Sequence, residues 1–233
     1  MNQSSFLEEL KKININITEE QLKQLEMYYE LLVEWNEKIN LTAITEKEEV
    51  YLKHFYDSLT LSKAIDLNQE LTLCDIGTGA GFPGIPLKIV FPKLKVTLID
   101  ALDKRIKFLD EVINKLGLEN IETIHARAEE YGVKNREVYD IVTARAVSNM
   151  QMLLEYTVPL VKKNGYFIAM KSNCDEELEL AKNAIEKLNL SYNTIKFQLP
   201  FELSNRTLVS FLKQEITNKK YPRKFSEMKK RPL

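Results

Sequence analysis

From Leu71 an apolar run leads to an acid, Asp75, and the acid leads into Ile76-Gly77-Thr78-Gly79-Ala80-Gly81-Phe82-Pro83-Gly84. A strand feeding a glycine-rich turn and a helix start is how α/β proteins bring backbone close to a nucleotide. A parallel strand of this kind needs neighbours beside it and helices on both faces. The chain supplies both. Short apolar runs recur at Leu71–Asp75, Lys95–Asp100, Ile121–His125, Tyr139–Ala144, Tyr166–Lys171, Thr194–Leu199 and Thr207–Leu212. Amphipathic stretches alternate with them at Pro86–Val90, Asp103–Leu116, Met150–Val161 and Asp175–Leu188. The alternation predicts an α/β fold with a mostly parallel sheet. Only Pro200 to Arg206 separate the last two runs, too few residues for a helical crossover. Those runs are therefore predicted to form an antiparallel hairpin at one edge.

The first third is predicted to be helical. Thr18-Glu19-Glu20-Gln21 has the form of a capping box. Leu22, Leu25, Met27, Tyr28, Leu31, Leu32, Trp35 and Ile39 then recur at helical spacing, and a second helix is expected over Glu46 to Leu61. Trp35 and the nearby aromatics read as core rather than as a ligand platform.

The 233 residues carry a formal charge of −1, which hides an asymmetry. Between Lys219 and Leu233, seven basic residues face one acid, Glu227, giving +6 there and −7 over the rest. Such an arm suits nucleic acid, and equally a solvated terminus. No apolar run approaches the roughly 20 residues of a membrane helix. The first residues contain Glu8 and Glu9 and no apolar core of a secretory signal. A cytoplasmic location is expected. Cys74 and Cys174 belong to no Cys-x-x-Cys pair and read as small buried residues, with no metal site expected.

Ligands of such sheets bind at the carboxyl ends of the strands. Polar residues gather there: Asp75, Asp100, Arg127-Ala128-Glu129, Arg145 and Lys171. Asp100 can accept hydrogen bonds from both hydroxyls of a ribose, or cap the helix that follows. The glycines match a dinucleotide-binding pattern literally, but Pro83 and Pro86 interrupt the helix start that would meet a pyrophosphate. Asp75 would also repel phosphate. S-adenosylmethionine carries no phosphate and presents an ammonium and a sulfonium, both cationic. Electrostatics therefore favours a methyl donor over NAD.

The string Asp75 to Leu87 resembles the first motif of the small-subunit (16S) ribosomal RNA guanine-N7 methyltransferases, the RsmG or glucose-inhibited division protein B family. Further matches follow in order. They are Trp35-Asn36-Glu37-Lys38-Ile39-Asn40-Leu41-Thr42, His54-Phe55-Tyr56-Asp57-Ser58-Leu59, Asp103-Lys104-Arg105, Arg127-Ala128-Glu129, Thr143-Ala144-Arg145-Ala146 and Tyr221-Pro222-Arg223-Lys224. The resemblance covers nearly the whole chain. It departs after Lys224, where Phe225-Ser226-Glu227-Met228 replaces the family's usual Ala-Gly-Thr-Pro.

The resemblance implies a class I methyltransferase fold, with seven strands, the last antiparallel, and added N-terminal helices. The expected division is a helical extension over 1–66, an S-adenosylmethionine-binding domain over 67–215 and a basic tail over 216–233. Gly77, Gly79 and Phe82 would border the cofactor, Ala128 and Glu129 its adenine, and Arg145 its methyl end, with Asp75 and Asp100 added on physical grounds. The implied reaction is methylation of a guanine N7 in 16S rRNA, free or in the 30S subunit, by a monomer, with no DNA or membrane partner. N7 carries an in-plane lone pair and no proton, so direct in-line attack needs no general base. Arg145 and Lys171 would position the base through its O6. Arg145 could instead pair with Glu129 or Asp75, and Lys171 could be an exposed strand end. Lys220, Tyr221, Arg223, Lys224, Lys229, Lys230 and Arg231 would contact RNA, with Tyr221 and Phe225 as stacking surfaces. Removing the tail is expected to weaken RNA binding and leave the cofactor affinity intact. Asn36, Asn40, His54 and Asp57 are expected to form a polar junction between the helical region and the sheet.

Overall fold

The structure is a computed structural model that describes residues 1–145, 148–202 and 204–233. Ala146, the last residue of the Thr143–Ala146 motif, lies outside the described residues. Seven strands form one sheet in the order β3-β2-β1-β4-β5-β7-β6. They are β1 (Thr72–Ile76), β2 (Lys95–Asp100), β3 (Ile121–His125), β4 (Tyr139–Arg145), β5 (Val161–Lys171), β6 (Leu190–Gln198) and β7 (Asn205–Lys213). Strands β1 to β5 pair in parallel. β7 inserts antiparallel between β5 and β6, so the predicted hairpin is present at the sheet's edge.

Consecutive residues of a strand point to opposite faces. Leu73, Leu98, Ile141 and Ile168 enter one core, while Cys74, Ile99, Val142 and Ala169 enter the other. The first core is closed by α1 (Gln3–Lys12), α2 (Glu19–Ile39), α5 (Gly84–Val90) and α6 (Asp103–Leu116). α2 begins at the predicted capping box and buries Leu25, Tyr28, Leu31 and Leu32. It also satisfies helix ends that would otherwise be left open. Gln21 donates to the Ile89 carbonyl at 2.8 Å, and Gln24 to the Leu116 carbonyl at 2.9 Å, at the ends of α5 and α6. The second core is closed by α7 (Ala128–Lys134), α8 (Met150–Thr157), α9 (Asp175–Leu180) and α10 (Lys182–Lys187).

Three predicted helices differ in detail. Met150–Val161 ends at Thr157, and a 3₁₀ turn over Val158–Leu160 containing Pro159 leads into a β5 longer than predicted. Asp175–Leu188 is broken at Ala181. The helix expected over Glu46–Leu61 is composite. α3 (Lys47–Val50) passes into a π-helical turn over Tyr51–Tyr56, then α4 (Asp57–Leu59) and a 3₁₀ turn over Thr60–Lys63. The Ser58 hydroxyl donates to the His54 carbonyl at 2.6 Å and the Thr60 hydroxyl to the Asp57 carbonyl, a local bonding pattern that competes with regular helix.

The basic tail is not a solvated arm. It packs on the second core through Tyr221, Met228 and Leu233 and ends in α11 (Phe225–Lys230). Arg223 reaches the fully buried Glu155 of α8, its Nε donating to Oε1 at 2.7 Å and its Nη2 to Oε2 at 2.6 Å. A buried carboxylate stripped of its cation is costly to keep ionised. Arg223→Ala should therefore lower stability by about 3 kcal/mol in chemical denaturation. A change below about 0.5 kcal/mol, the range of an ordinary surface substitution, would show that the tail is not so anchored.

Candidate functional site

The glycine loop is built around Asp75, which is 0% exposed. Its Oδ2 accepts from the Thr78 hydroxyl at 2.7 Å and from the Gly84 N–H at 2.9 Å. One carboxylate oxygen thus ties the end of β1 to the start of α5. Gly84 has to be glycine here, because a Cβ would lie 2.3 Å from Leu98 Cδ2. The other oxygen, Oδ1, is buried with no partner. Burial raises the Asp75 pKa to about 6, against the bonds from Thr78 and Gly84 and the charge of Arg145.

The loop then turns over the end of β2. Gly77 and Thr78 donate to the Ile99 carbonyl, and the Gly79 N–H donates to Asp100 Oδ2 at 2.9 Å. Gly79 adopts a positive φ of 62°, and its open side meets nothing nearer than 4.0 Å. Asp100 also accepts from the Leu102 N–H at 2.9 Å and from Arg105 at 3.1 Å. Both jobs considered for it are thus in view: it accepts a backbone N–H at the start of α6, and it lines a cavity. A carboxylate offers about four acceptor positions, so one remains free, and the partly exposed Arg105 can yield another.

The cavity beside Asp100 has a volume of about 310 Å³ and lies over the ends of β1, β2 and β3, with Met152 and Tyr156 of α8 in its wall. Gly77, Ala101, Ala126, Ala128 and Glu129 are in its lining. Small apolar side chains next to the Asp100 carboxylate leave a narrow slot. The site also suits a cationic ligand better than a phosphate. The Gly84 N–H that would meet a phosphate at the start of α5 is already taken by Asp75. Asp75 is not in the lining of this cavity; its Oδ1 lies buried beneath the same loop without a hydrogen-bond donor. The residues present fit S-adenosylmethionine: Asp100, a carboxylate with a free acceptor position, stands beside a slot that Ala128 and Glu129 help to line.

A second cavity of about 420 Å³ lies at the ends of β4 and β5. It brings Arg145 and Lys171 together with Lys53, His54, Asp57 and Arg206. Arg145 donates to the Lys53 carbonyl at 2.9 Å, to Asp57 Oδ2 at 3.3 Å and to His54 Nδ1 at 3.2 Å. All three acceptors come from the π-helical turn or the residue after it. Asp57 Oδ1 accepts from Arg206 Nε at 3.0 Å, so one buried carboxylate holds two arginines. Burial and Arg145 push the His54 ring down to about 3, and it is neutral. Lys171 donates to Glu177 at 2.8 Å and to the Ser148 carbonyl at 2.7 Å. The partner of Arg145 is therefore Asp57, not Glu129 or Asp75, and Lys171 is a largely covered ion-pair partner rather than an exposed strand end.

Other expected residues fall elsewhere. Phe82 lies under the loop, stacked on His54 with ring centroids 4.4 Å apart and beneath the Arg145 guanidinium, and it is not in the lining of the first cavity. Tyr28 reaches the same cluster, and its hydroxyl donates to the Ala80 carbonyl. Of the residues expected to meet RNA, Tyr221 is 4% exposed and Arg223 is paired with Glu155, its side chain 23% exposed. Lys220, Lys224, Lys230 and Arg231 remain exposed. Phe225 and Lys229 line the first cavity, which ties the tail to the cofactor side that it was expected to leave untouched. Arg206 escaped the sequence reading, because nothing around Asn205-Arg206-Thr207 marks it before the fold carries it to Asp57. Of the expected polar junction, Asn36 accepts from the Thr42 N–H, and Thr42 contacts His54, which joins Asp57 at Arg145. Asn40 ends α2 in a left-handed conformation. Among the described residues no helix is long and apolar enough to cross a membrane, and no cluster of His, Cys, Asp and Glu could hold a metal.

The sheet order, the reversal between β1 and β4 and the acid–glycine loop at that reversal define a class I methyltransferase fold. A SAM dependent methyltransferase from Aquifex aeolicus superposes with a TM-score of 0.53 at 20% identity, over 67% of this chain and 89% of that one. P. horikoshii TYW2 in complex with MeSAdo gives 0.54 at 15% identity, over 68% and 61%. At these identities the likeness is one of fold. Sequence goes further. Residues 21–208 match the family described as GidB, rRNA small subunit methyltransferase G. The proteins named ribosomal RNA small subunit methyltransferase G from Oceanobacillus iheyensis and Bacillus subtilis are 52% and 51% identical. Both alignments span 100% of this chain, with 100% and 99% of those relatives. The chain belongs to the ribosomal RNA small subunit methyltransferase G family.

The loop geometry makes a pH-dependent stability prediction. Asp75 has a folded pKa above its ordinary value, so the folded state holds a proton there that the unfolded state has lost. Stability falls as pH rises from about 4 through about 6. Asp75→Asn keeps the acceptor for Thr78 and Gly84 and removes the buried charge. It should be more stable than wild type by about 1–3 kcal/mol at pH 8, with the gain vanishing near pH 4. Denaturation curves across that range that show the same difference at both ends would contradict the assignment.

Proposed function

We propose that this chain transfers a methyl group from S-adenosylmethionine to N7 of a guanine in 16S rRNA, presented free or in the 30S subunit. Family membership supports the methyl donor and the ribosomal RNA substrate. One observation supports the choice of N7. Among the described residues of the second cavity, each carboxylate is paired to a cation and the one imidazole is neutral with a pKa near 3. That lining is poor at taking up protons. It suits an acceptor whose attacking atom has a lone pair and no proton to lose.

The bound cofactor supplies a methyl group on a sulfonium, an electrophile that needs no further activation. The chain's own residues bind and orient. Asp100 holds a ribose at the end of β2, and Ala128 and Glu129 border the adenine slot. Asp75 places an oxygen without a hydrogen-bond donor under the loop, where a carboxylate favours a cation over a phosphate. Arg145 keeps donors that its three partners do not use, and with Lys171 it can grip guanine O6 while leaving N7 free. With S-adenosylmethionine held there, its sulfonium methyl would be open to direct in-line attack by N7, the sulfur leaving as a neutral thioether, and no base of the protein would be needed. Rate comes from holding the reacting atoms about 3–3.5 Å apart in alignment. Exposed Lys220, Lys224, Lys230 and Arg231 would hold the RNA backbone, a salt-dependent contribution. Guanine N7 faces the deep, narrow groove of an A-form helix, so the target must sit in a loop or leave the stack.

Two measurements test this reading. N7-methylguanine mapped in 16S rRNA from cells lacking the protein should be missing at one site and return when the wild-type chain is restored. Full methylation at every site without the protein would refute the assignment. Asp100→Ala should weaken S-adenosylmethionine binding by about 1–3 kcal/mol in calorimetry. Equal affinity would remove Asp100 from the ribose.

A further inference from the structure

The cavity beside Asp100 is closed on one side by a segment that departs from the family pattern. Phe225 and Lys229 of α11 line it, together with Met152 and Tyr156 of α8. Of the two aromatic rings, Tyr156 is buried in the second core, whereas Phe225 is 41% exposed. An aromatic with a free face at the mouth of a cavity walled by Ala101, Ala126 and Ala128 is placed to meet a flat ring.

Its position is fixed by the same helix that lines the cavity. Met152 and Tyr156 of α8 face the cavity, while Glu155 between them is fully buried and grips Arg223 through two side-chain bonds and the Arg223 backbone N–H. Arg223 stands two residues before Phe225. Three residues beyond Phe225, Met228 is fully buried in the second core. The ring is thus held from both sides by anchored neighbours while it stays free itself.

We propose that Phe225 is a cofactor-binding residue of this chain: it stacks on the adenine that Ala128 and Glu129 border, and the C-terminal segment is a wall of the cofactor site. This rests on the S-adenosylmethionine reading above. The ring lies on the adenine side because Phe225 lines the same cavity as Asp100, Ala101, Ala126 and Ala128 at the ends of β2 and β3, whereas Arg145 lines the other cavity. The tail therefore serves the small-molecule site as well as carrying charge.

The test uses the full chain and two probes, S-adenosylhomocysteine and methylthioadenosine, which share the adenosine and differ in the amino-acid part. Phe225→Ala should weaken both by a similar factor, about five- to a hundred-fold, as expected for removing an aromatic partner of a base. It should leave the melting temperature of the ligand-free protein nearly unchanged, since Phe225 is 41% exposed and lies outside the buried core. Phe225→Trp should restore affinity, and its indole fluorescence should be quenched by either probe in a Trp35→Phe background. Wild-type affinity in Phe225→Ala would overturn the proposal, and so would an indole that binding does not quench. A wild-type chain that binds neither probe would overturn the cofactor reading itself, a result distinct from the other two.

Discussion

The arrangement of this molecule depends on one buried carboxylate. Asp75 sits at the end of the central strand and holds the first N–H of α5 and the hydroxyl of Thr78 with a single oxygen. Those bonds bring helix and strand so close that Gly84 has no room for a side chain. They also close the usual phosphate position, because the helix N-terminus already has its anion. The loop that results leans on β2 and delivers the Gly79 N–H to Asp100, so the two acids that shape the cofactor side are joined through the turn between them. A charge kept out of water costs stability, and its raised pKa measures that cost.

A second carboxylate does the corresponding work across the chain. Asp57 comes from the N-terminal helical segment, Arg145 from the end of β4 and Arg206 from the start of β7. None of the three can be placed without the others, since two guanidinium groups in a covered site need their countercharge. The N-terminal segment is for this reason part of the second cavity as well as a cover for the first core. His54 and Phe82 complete the junction by stacking beneath Arg145.

What was legible in the sequence follows from range. β2 and β3 fall at their predicted residues, and β1, β4 and the β6–β7 hairpin close to theirs, because apolar alternation and turn length are local signals. The positions of Asp75 and Asp100 at strand ends beside the glycine turn could be read from neighbouring residues. The Asp57 junction could not be read, because its partners lie 88 and 149 residues away. The π-helical turn left no trace, since a single wide turn barely alters an apolar periodicity. The tail misled for a related reason. Its charges dominate the composition, whereas the three residues that dock it, Tyr221, Met228 and Leu233, are too widely spaced to form a pattern. The residue that neutralises Glu155 looked like a phosphate-binding arginine.

The π-helical turn has a consequence for how this fold can vary. Each residue in an α-helix advances its neighbours by about 100° around the axis, and a π turn accommodates one extra residue without lengthening the element by a full turn. Tyr51–Tyr56 therefore sets the rotational phase between α3, which meets the N-terminus, and Asp57, which meets the two arginines. Loss of one residue there would not merely shorten the segment. It would turn Lys53 and His54 away from Arg145 while Asp57 stayed behind, so the registration of two distant parts of the chain is held by the length of six residues.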